Sequence, residues 1–551
     1  MLSVLWALAA HAQQQEVPPT VDPSQLERQF ERERLPESQL DIVIPKQEDM
    51  APEDSDAIRF TLTGLVVEGS TVYGEADFLP FYQKRLGTEI TLTQAYTIAR
   101  ALTTKYRNDG YILSQVIVPP QRIEGGVLRL RAVEGFIDKV TVNGDVAGGG
   151  RLLRRYGEKI RNSRPLKADV LERYILLAGD LPGMTAQAVL SASPTTPGAS
   201  DLDIVVREKR LEGFASVDNR GSRFSGPVQG QLGVSLNSLF GTHERTRFRF
   251  IGAAQLSELR SYEAEHVRQI GSEGLTVAVL GRYTESEPGG ALEDSEIESE
   301  SISAELLVNY PIIRTRAKNL NVRAGFSFRD TETAILDTPF TDDRIRAARA
   351  GLSYDFVDAW EGINLVDVEV SRGLGILDAS EPGAPELSRA GADTTFTKVN
   401  LSLFRLQRLG GGFSLLLNAI GQYSDDRLVA SEEFAIGGSR FGRAFDPSQV
   451  SGDRGVAGRV ELRNDRAVTS DILEGIQFYA FYDYGSVWRR SAGGLASSRD
   501  ELSSTGAGAR LYLGEAVTAN IEMVVPVIGD AASRGDDGDN VRALFGVSVA
   551  F

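Results

Sequence analysis

Between Ile436 and Leu462 the chain reads IGGSRFGRAFDPSQVSGDRGVAGRVEL. The residue that could do chemistry there is a cation. Arg443 stands between Gly442 and the pair Ala444–Phe445, in a run rich in glycine. Such a loop, set among strands of alternating polarity, makes sense if it folds back into the lumen of a transmembrane β-barrel. Other candidates are thin. The chain has no Cys and three His, which leaves little for thiol catalysis or for histidine-based metal or acid–base chemistry. The acidic turn from Arg534 to Asn540 offers Asp536, Asp537 and Asp539 to a cation, but a solvated loop between the two last strands is the simpler expectation. The acids clustered at 289–301 read in the same way, as surface or barrel-mouth charge. Gly506-Ala507-Gly508 lies in a strand pattern, without the helix that a nucleotide-binding turn needs. No serine elbow, P-loop, EF-hand or zinc spacing stands out, so the sequence points to no metal, no cofactor and no catalytic set.

The elements that must position Arg443 follow from composition and period. With 551 residues the chain is too long for one ordinary domain. A formal charge of −17 argues against a nucleic-acid partner. The mean hydropathy is −0.17, and no apolar run approaches the ~20 residues of a spanning helix, so a helical membrane bundle is excluded. A β-barrel escapes that test, because lipid-facing and lumen-facing residues alternate and average out. From about Leu211 period-two alternation takes over. Arg245, Arg247 and Arg249 alternate with Thr246, Phe248 and Phe250. Leu320, Val322, Ala324, Phe326 and Phe328 form one face of the next clear case, opposite Asn319, Asn321, Arg323, Ser327 and Arg329. A two-sheet sandwich would alternate too, but residues 211–551 are more than a sandwich needs, and Gly/Asp/Ser turns break them repeatedly. At roughly 20 residues per strand and connection they make about 16 strands, an even number that suits an outer-membrane barrel. In the last strand Ala543, Phe545, Val547, Val549 and Phe551 point one way, and Arg542, Gly546, Ser548 and Ala550 the other, with Leu544 as the one bulky exception. A terminal Phe551 in lipid-facing register fits the signal that barrel-assembly machinery reads.

Upstream of the barrel lie two α+β units. Residues 58–135 read as strand, two helices and two strands; residues 136–210 repeat that order. Residues 13–57 are polar. Within them Asp22 as N-cap and Pro23 at the first helical position open a charged helix through LERQFERERL, and residues 36–57 read as linker. That helix has only Leu26, Phe30 and Leu35 to bury, so a polar lumen would suit it better than an apolar core. Residues 1–12, with Ala10-His11-Ala12 after an apolar stretch, read as a signal peptide whose true start lies at or upstream of Met1.

Three landmarks together resemble the translocator component of two-partner secretion, the hemolysin-activator ShlB/FhaC/HecB type. That type belongs to the superfamily of POTRA-bearing barrels shared with BamA. The first unit carries Lys105-Tyr106-Arg107-Asn108-Asp109-Gly110-Tyr111, Val118-Pro119-Pro120-Gln121 and Glu134-Gly135; the second carries Val142-Asn143-Gly144 and Leu181-Pro182-Gly183. The barrel opens with Asp218-Asn219-Arg220-Gly221. The family's loop motif usually reads Val-Arg-Gly-Phe or Val-Arg-Gly-Tyr, and Gly442-Arg443-Ala444-Phe445 stands in its place, flanked by Gly437-Gly438 and Gly452-Asp453-Arg454-Gly455. The resemblance implies that Arg443 reaches an aspartate on a barrel strand. In IQFYAFYDYGSVW, Asp483 shares the lumenal parity of Gln477, Tyr479 and Phe481, so a bidentate, charge-assisted Arg443–Asp483 bond is expected.

The resemblance implies a mainly β fold: a 16-stranded antiparallel transmembrane β-barrel over residues 211–551, preceded by two α+β POTRA domains (58–135 and 136–210) and an N-terminal plug helix. It implies a transporter rather than an enzyme. An unfolded exoprotein with an N-terminal β-helical secretion domain would be recognised by the POTRA domains in the periplasm and exported through the pore. Other expected partners are outer-membrane lipid and, during biogenesis, the barrel-assembly machinery. A second reading, an outer-membrane insertase of the BamA-like kind, uses the same architecture. Two POTRA repeats and a charged N-terminal helix favour secretion over it.

Overall fold

The computed structural model describes residues 19–30, 42–43, 52, 54–468, 470, 472–490, 497–529 and 541–551. The signal-peptide expectation at 1–12 and the acidic turn at 534–540 lie outside these residues, as do most of the linker and the part of the N-terminal helix expected beyond Phe30.

Sixteen strands close into one antiparallel barrel in simple sequential order, from Leu211–Asp218 to Arg542–Ala550. Each strand pairs with its neighbour in sequence, and the last returns to the first, so no edge is left unpaired. The alternation sorts the side chains as expected. Leu232, Phe248, Val279, Leu352, Phe478 and Ile521 stay exposed on the outside, where an apolar band belongs. Their alternating neighbours turn inward and pair across strands, as in Arg249–Glu263 at 2.5 Å and Arg323–Asp367 at 2.7 Å. The acids near 289–301 fall in a short 3-10 turn, Gly290–Ser295, and the start of the strand that follows, at the rim.

The two α/β units sit in series at one rim. In the first, the expected opening strand is two strands with different partners. Arg59–Thr61 pairs with Glu89–Thr91, and Gly64–Glu68 runs parallel to Val127–Val133. The chain changes partner where the Leu62 N–H bonds Thr88 and the Thr63 N–H bonds Gly126. The strand Gln115–Ile117 stops short of Pro119, which cannot extend a ladder. The long helix Leu92–Asn108 has the capping box Thr91/Gln94 and buries Ala95, Ile98, Ala99, Leu102 and Tyr106. The second unit packs Arg151–Arg161 and Ala168–Gly179 on a sheet that includes Phe136–Asn143, Met184–Ala192 and Ala199–Glu208. Residues 42–43 add a short parallel strand to its free edge, against Ala188 and Val189.

The sequence landmarks of the first unit build the junction between the units. Gly110 accepts the Ala168 N–H at 2.8 Å, Gly135 accepts that of Leu166 at 2.9 Å, and Ile112 and Leu113 pack on the second core. Glu134 accepts from the backbone of Thr71 and Val72 and from the Tyr106 hydroxyl. Burial pushes its carboxyl up, but the bonds from Thr71, Val72 and Tyr106 outweigh that and hold it below the ordinary 4.5. A lowered folded pKa stabilises above the unfolded value and is lost as the pH falls through the folded one. Acid melting of the first unit should therefore begin below pH 4.5 and lose that limb in Glu134→Gln, as followed by thermal unfolding against pH.

The second unit is bolted to the barrel rim by charge. Asp180 takes Arg314 in a bidentate pair (2.6 and 2.8 Å), and Glu172 takes Arg316 at 2.7 Å. Arg173 donates to the carbonyl of Glu273 in a barrel turn and to those of Pro311 and Ile312 near the end of the strand Ile297–Arg314.

Candidate functional site

The site is the loop between strands Phe413–Ser424 and Arg454–Ala467, which folds inward and closes part of the lumen. A short hairpin, Phe434–Ile436 against Val450–Gly452, carries the loop down. The tip then turns on glycine. Gly437 (φ +119°), Gly438 (φ +83°) and Gly442 (φ +78°) adopt backbone that side chains disfavour. The Gly437 N–H bonds the Phe441 carbonyl at 2.9 Å, and that of Phe445 bonds Gly442 at 2.9 Å. This accounts for the departure from the usual motif. The left-handed position falls on Gly442, while Ala444 lies outside the positive-φ region and is fully buried. Glycine is needed before the arginine here, and alanine is tolerated after it.

Arg443 is 3 % exposed and meets three carboxylates. Its Nη1 donates to Glu522 at 2.8 Å and its Nη2 to Glu461 at 3.0 Å, while Nε lies 3.3 Å from Asp483. The guanidinium also stacks over Phe481, 3.7 Å from the ring centre. Asp483 is thus at the site, on the expected lumenal face of Leu473–Arg489, but the expected bidentate bond is not formed with it. The two hydrogen bonds go to Glu461 and Glu522, which the sequence reading missed. The signal was present: both have lumenal parity in their strands, between outward Val460 and Leu462 and between outward Ile521 and Met523. Around the triad, Glu461 takes Arg463 and Arg510, and Tyr479 donates to Glu522 at 2.8 Å. Phe445 packs with Leu502, Val524 and Leu544. Leu544, the exception in the last strand's pattern, is there to receive the loop tip.

The N-terminal helix Pro23–Gln29 lies inside the barrel, capped as expected by Asp22, which accepts the Ser24 N–H at 2.9 Å. Glu27 is 2 % exposed. It accepts from Arg329 at 2.6 Å, Arg282 at 3.2 Å and Thr284 at 2.8 Å. Leu26 packs on Ala253 and Leu259. Arg28 donates to the carbonyls of Ser431 and Glu433, and Gln25 to that of Ala430, so the helix rests on the loop's base. Among the lumenal arginines, Arg329 reaches the described part of the helix. Arg247 lies 3.5 Å from Glu265, and Arg323 pairs with Asp367 and Glu369. Below helix and loop is a cavity of about 570 Å³ with a mixed lining, its charged and polar part supplied by residues such as Arg323, Arg349, Lys398 and Asn400.

At the barrel's other seam end, Phe551 exchanges both backbone bonds with Gly213 (2.8 and 2.9 Å), and its ring is 64 % exposed toward the outer face. No group of His, Asp or Glu suited to a metal occurs among the described residues.

A closed 16-stranded barrel, apolar outside and charged within, with POTRA units on one rim, is a POTRA-bearing outer-membrane barrel, and the family match places it among the two-partner secretion transporters. The family model "Haemolysin secretion/activation protein ShlB/FhaC/HecB" matches residues 198–511, and the ShlB-type POTRA domain matches residues 60–135. The chain belongs to that haemolysin secretion/activation family. It is 22 % identical over 516 residues to the heme/hemopexin transporter protein HuxB of Haemophilus influenzae, covering 92 % of this chain and 91 % of that one. It is 25 % identical to the outer membrane transporter CdiB of Dickeya dadantii over 78 % and 76 % of the two chains. Among solved structures, CdiB from Escherichia coli superposes with a TM-score of 0.73 at 18 % identity, over 98 % of this chain and 95 % of that one. The protein therefore resides in the outer membrane with its POTRA units in the periplasm, and serves a secreted partner protein. These relatives bear transporter names, which favours secretion over the insertase reading.

Proposed function

We propose that residues 58–135 and 136–210 capture an unfolded exoprotein through its N-terminal β-helical secretion domain and pass it into the barrel of residues 211–551. The observation that carries this reading is the doubly filled lumen, held largely by polar and charged groups that water can satisfy once helix and tip have left. The helix leaves and the loop shifts when cargo engages, and folding of the cargo outside prevents its return. The POTRA sheets supply strand edges for an extended partner. One such edge is taken at rest by residues 42–43, so a partner strand binding there displaces the linker. Phe551 serves the assembly machinery, and outer-membrane lipid bathes the apolar band. Phe551→Ala should lower the yield of heat-modifiable, membrane-inserted barrel without changing the activity of those barrels that do insert.

The test is a deletion of this gene in its own host. A large β-helical exoprotein should vanish from the medium while the other outer-membrane barrels keep their levels. A general loss of barrels with secretion intact would support the insertase instead.

A further inference from the structure

The barrel closes along its weakest line. First and last strands share five residue pairs, Phe214–Asp218 against Gly546–Ala550, whereas each of these strands shares eight with its other neighbour. Gly213 and Phe551 add a backbone-bonded pair at one end; at the other Asn219 donates its N–H to the Phe545 carbonyl at 3.3 Å, while its side chain accepts the Phe545 N–H at 2.7 Å and donates to the Ala543 carbonyl at 2.9 Å. Beyond that, the two sides are joined through the loop tip. Asp446, next to Phe445, accepts from Arg542 of the last strand at 3.0 Å. Its other oxygen lies 3.6 Å from Nε of Arg223 and 3.5 Å from that residue's backbone nitrogen, just past the first strand. Glu522 repeats the arrangement. It stands on the penultimate strand, Val517–Ile528; one oxygen takes Arg443 of the tip, and the other takes Arg220, at 3.2 Å, two residues past the first strand. Phe445 meanwhile shares a buried apolar cluster with Leu544 of the last strand. Asp446, Glu522 and Arg443 are all nearly inaccessible to water, so these bonds do not face easy competition.

We propose that the loop tip is a clasp across the junction of first and last strands, with Asp446 and Glu522 as its two fixings, and that release of the tip parts this junction. Asp446 is then a positioning residue for a movable barrel wall as well as part of the loop. The proposal takes the loop to be the moving part, as in the export reading, but opening of the junction is measured without cargo.

The chain has no cysteine, so an engineered pair is unambiguous. Gly213 and Phe551 exchange both backbone bonds. By antiparallel alternation Ser216 and Ser548 then face each other as a non-hydrogen-bonded pair, with Cα atoms about 4.5 Å apart, within disulfide range. Full-length S216C/S548C protein, with and without Asp446→Asn, is recorded in planar bilayers, oxidised and then reduced. Reduced Asp446→Asn should spend several-fold more time in wide openings than the reduced parent. Oxidation should return it to the parent's level, and dithiothreitol should release it again. Arg542→Gln removes the same bond from the strand side. It should match Asp446→Asn, the double variant should go no further than either, and it carries the test if Asp446→Asn does not insert. Wide openings that persist in the oxidised variant, or variants no more open than the parent, overturn the proposal. Lost secretion with intact, disulfide-sensitive opening would count against the export reading and leave the clasp standing.

Discussion

Arg443→Ala will nearly abolish secretion while the barrel still reaches the membrane. The substitution leaves Glu461, Asp483 and Glu522 converging with their shared cation gone, all three almost fully buried. Removing one partner of a buried ion pair costs ~3–5 kcal/mol, and at 1.4 kcal/mol per tenfold that is a change of roughly a hundredfold or more in how often the tip is docked. The acids are not equivalent to the arginine. Asp483→Ala removes the one carboxylate to which the guanidinium makes no hydrogen bond, together with the weak bond from Ser504, and leaves both carboxylates to which it does, so it should cost less than Glu522→Ala, which also unties Arg220 and Tyr479. Arg443→Lys should rescue little, because an ammonium cannot present a planar fork to several carboxylates. Secretion assays alongside heat-modifiability, which reports insertion, separate these outcomes. Equal losses from Asp483→Ala and Arg443→Ala would mean the Asp483 contact alone matters.

Glu27→Arg should turn a quiet channel into an open one. The carboxylate sits between Arg282 and Arg329 with Thr284 beside it, and reversal of its charge puts three guanidiniums in one buried space. A helix about 10–12 Å across then has no stable berth, and its withdrawal frees most of the lumen. Glu27→Gln keeps the shape and the Thr284 contact, so its effect should be smaller in the same direction. Steady-state conductance in planar bilayers reads both, and an unchanged trace for Glu27→Arg would mean that the helix is held by its contacts with Ala430, Ser431 and Glu433 rather than by its charge.

How much of this was legible in the sequence depends on which physical rule was needed. Alternation reports which face of a strand a residue occupies, and that sufficed for Asp483, for the outward row that includes Phe478 and Tyr482, and for the apolar outer band. The Asp22 cap and the helices of the POTRA units were equally plain, because capping and amphipathic period are local. Height along the barrel axis is not local. It is set by how strands are staggered around the closed wall, so three inward acids on three strands could not be ranked as partners of Arg443. The change of partner at Leu62 and Thr63 was hidden because both halves have strand-like residues. Leu544 breaks the last strand's pattern because it joins the buried cluster that holds Phe445, and a pattern within one strand carries no information about a loop that lands on it.

The most direct test of export through this barrel uses two adjacent residues of one strand. Asn400 faces the lumenal cavity, hydrogen-bonded to Gln422, and Leu401 is exposed on the outer wall. A photo-crosslinking amino acid is placed at each position in cells where the secreted partner carries a fused domain too stable to unfold, so that it stalls in transit. Crosslinks to the stalled partner should form from position 400 and not from 401. Crosslinks from 401 alone, or from neither position while the partner is still secreted, would contradict passage through the lumen.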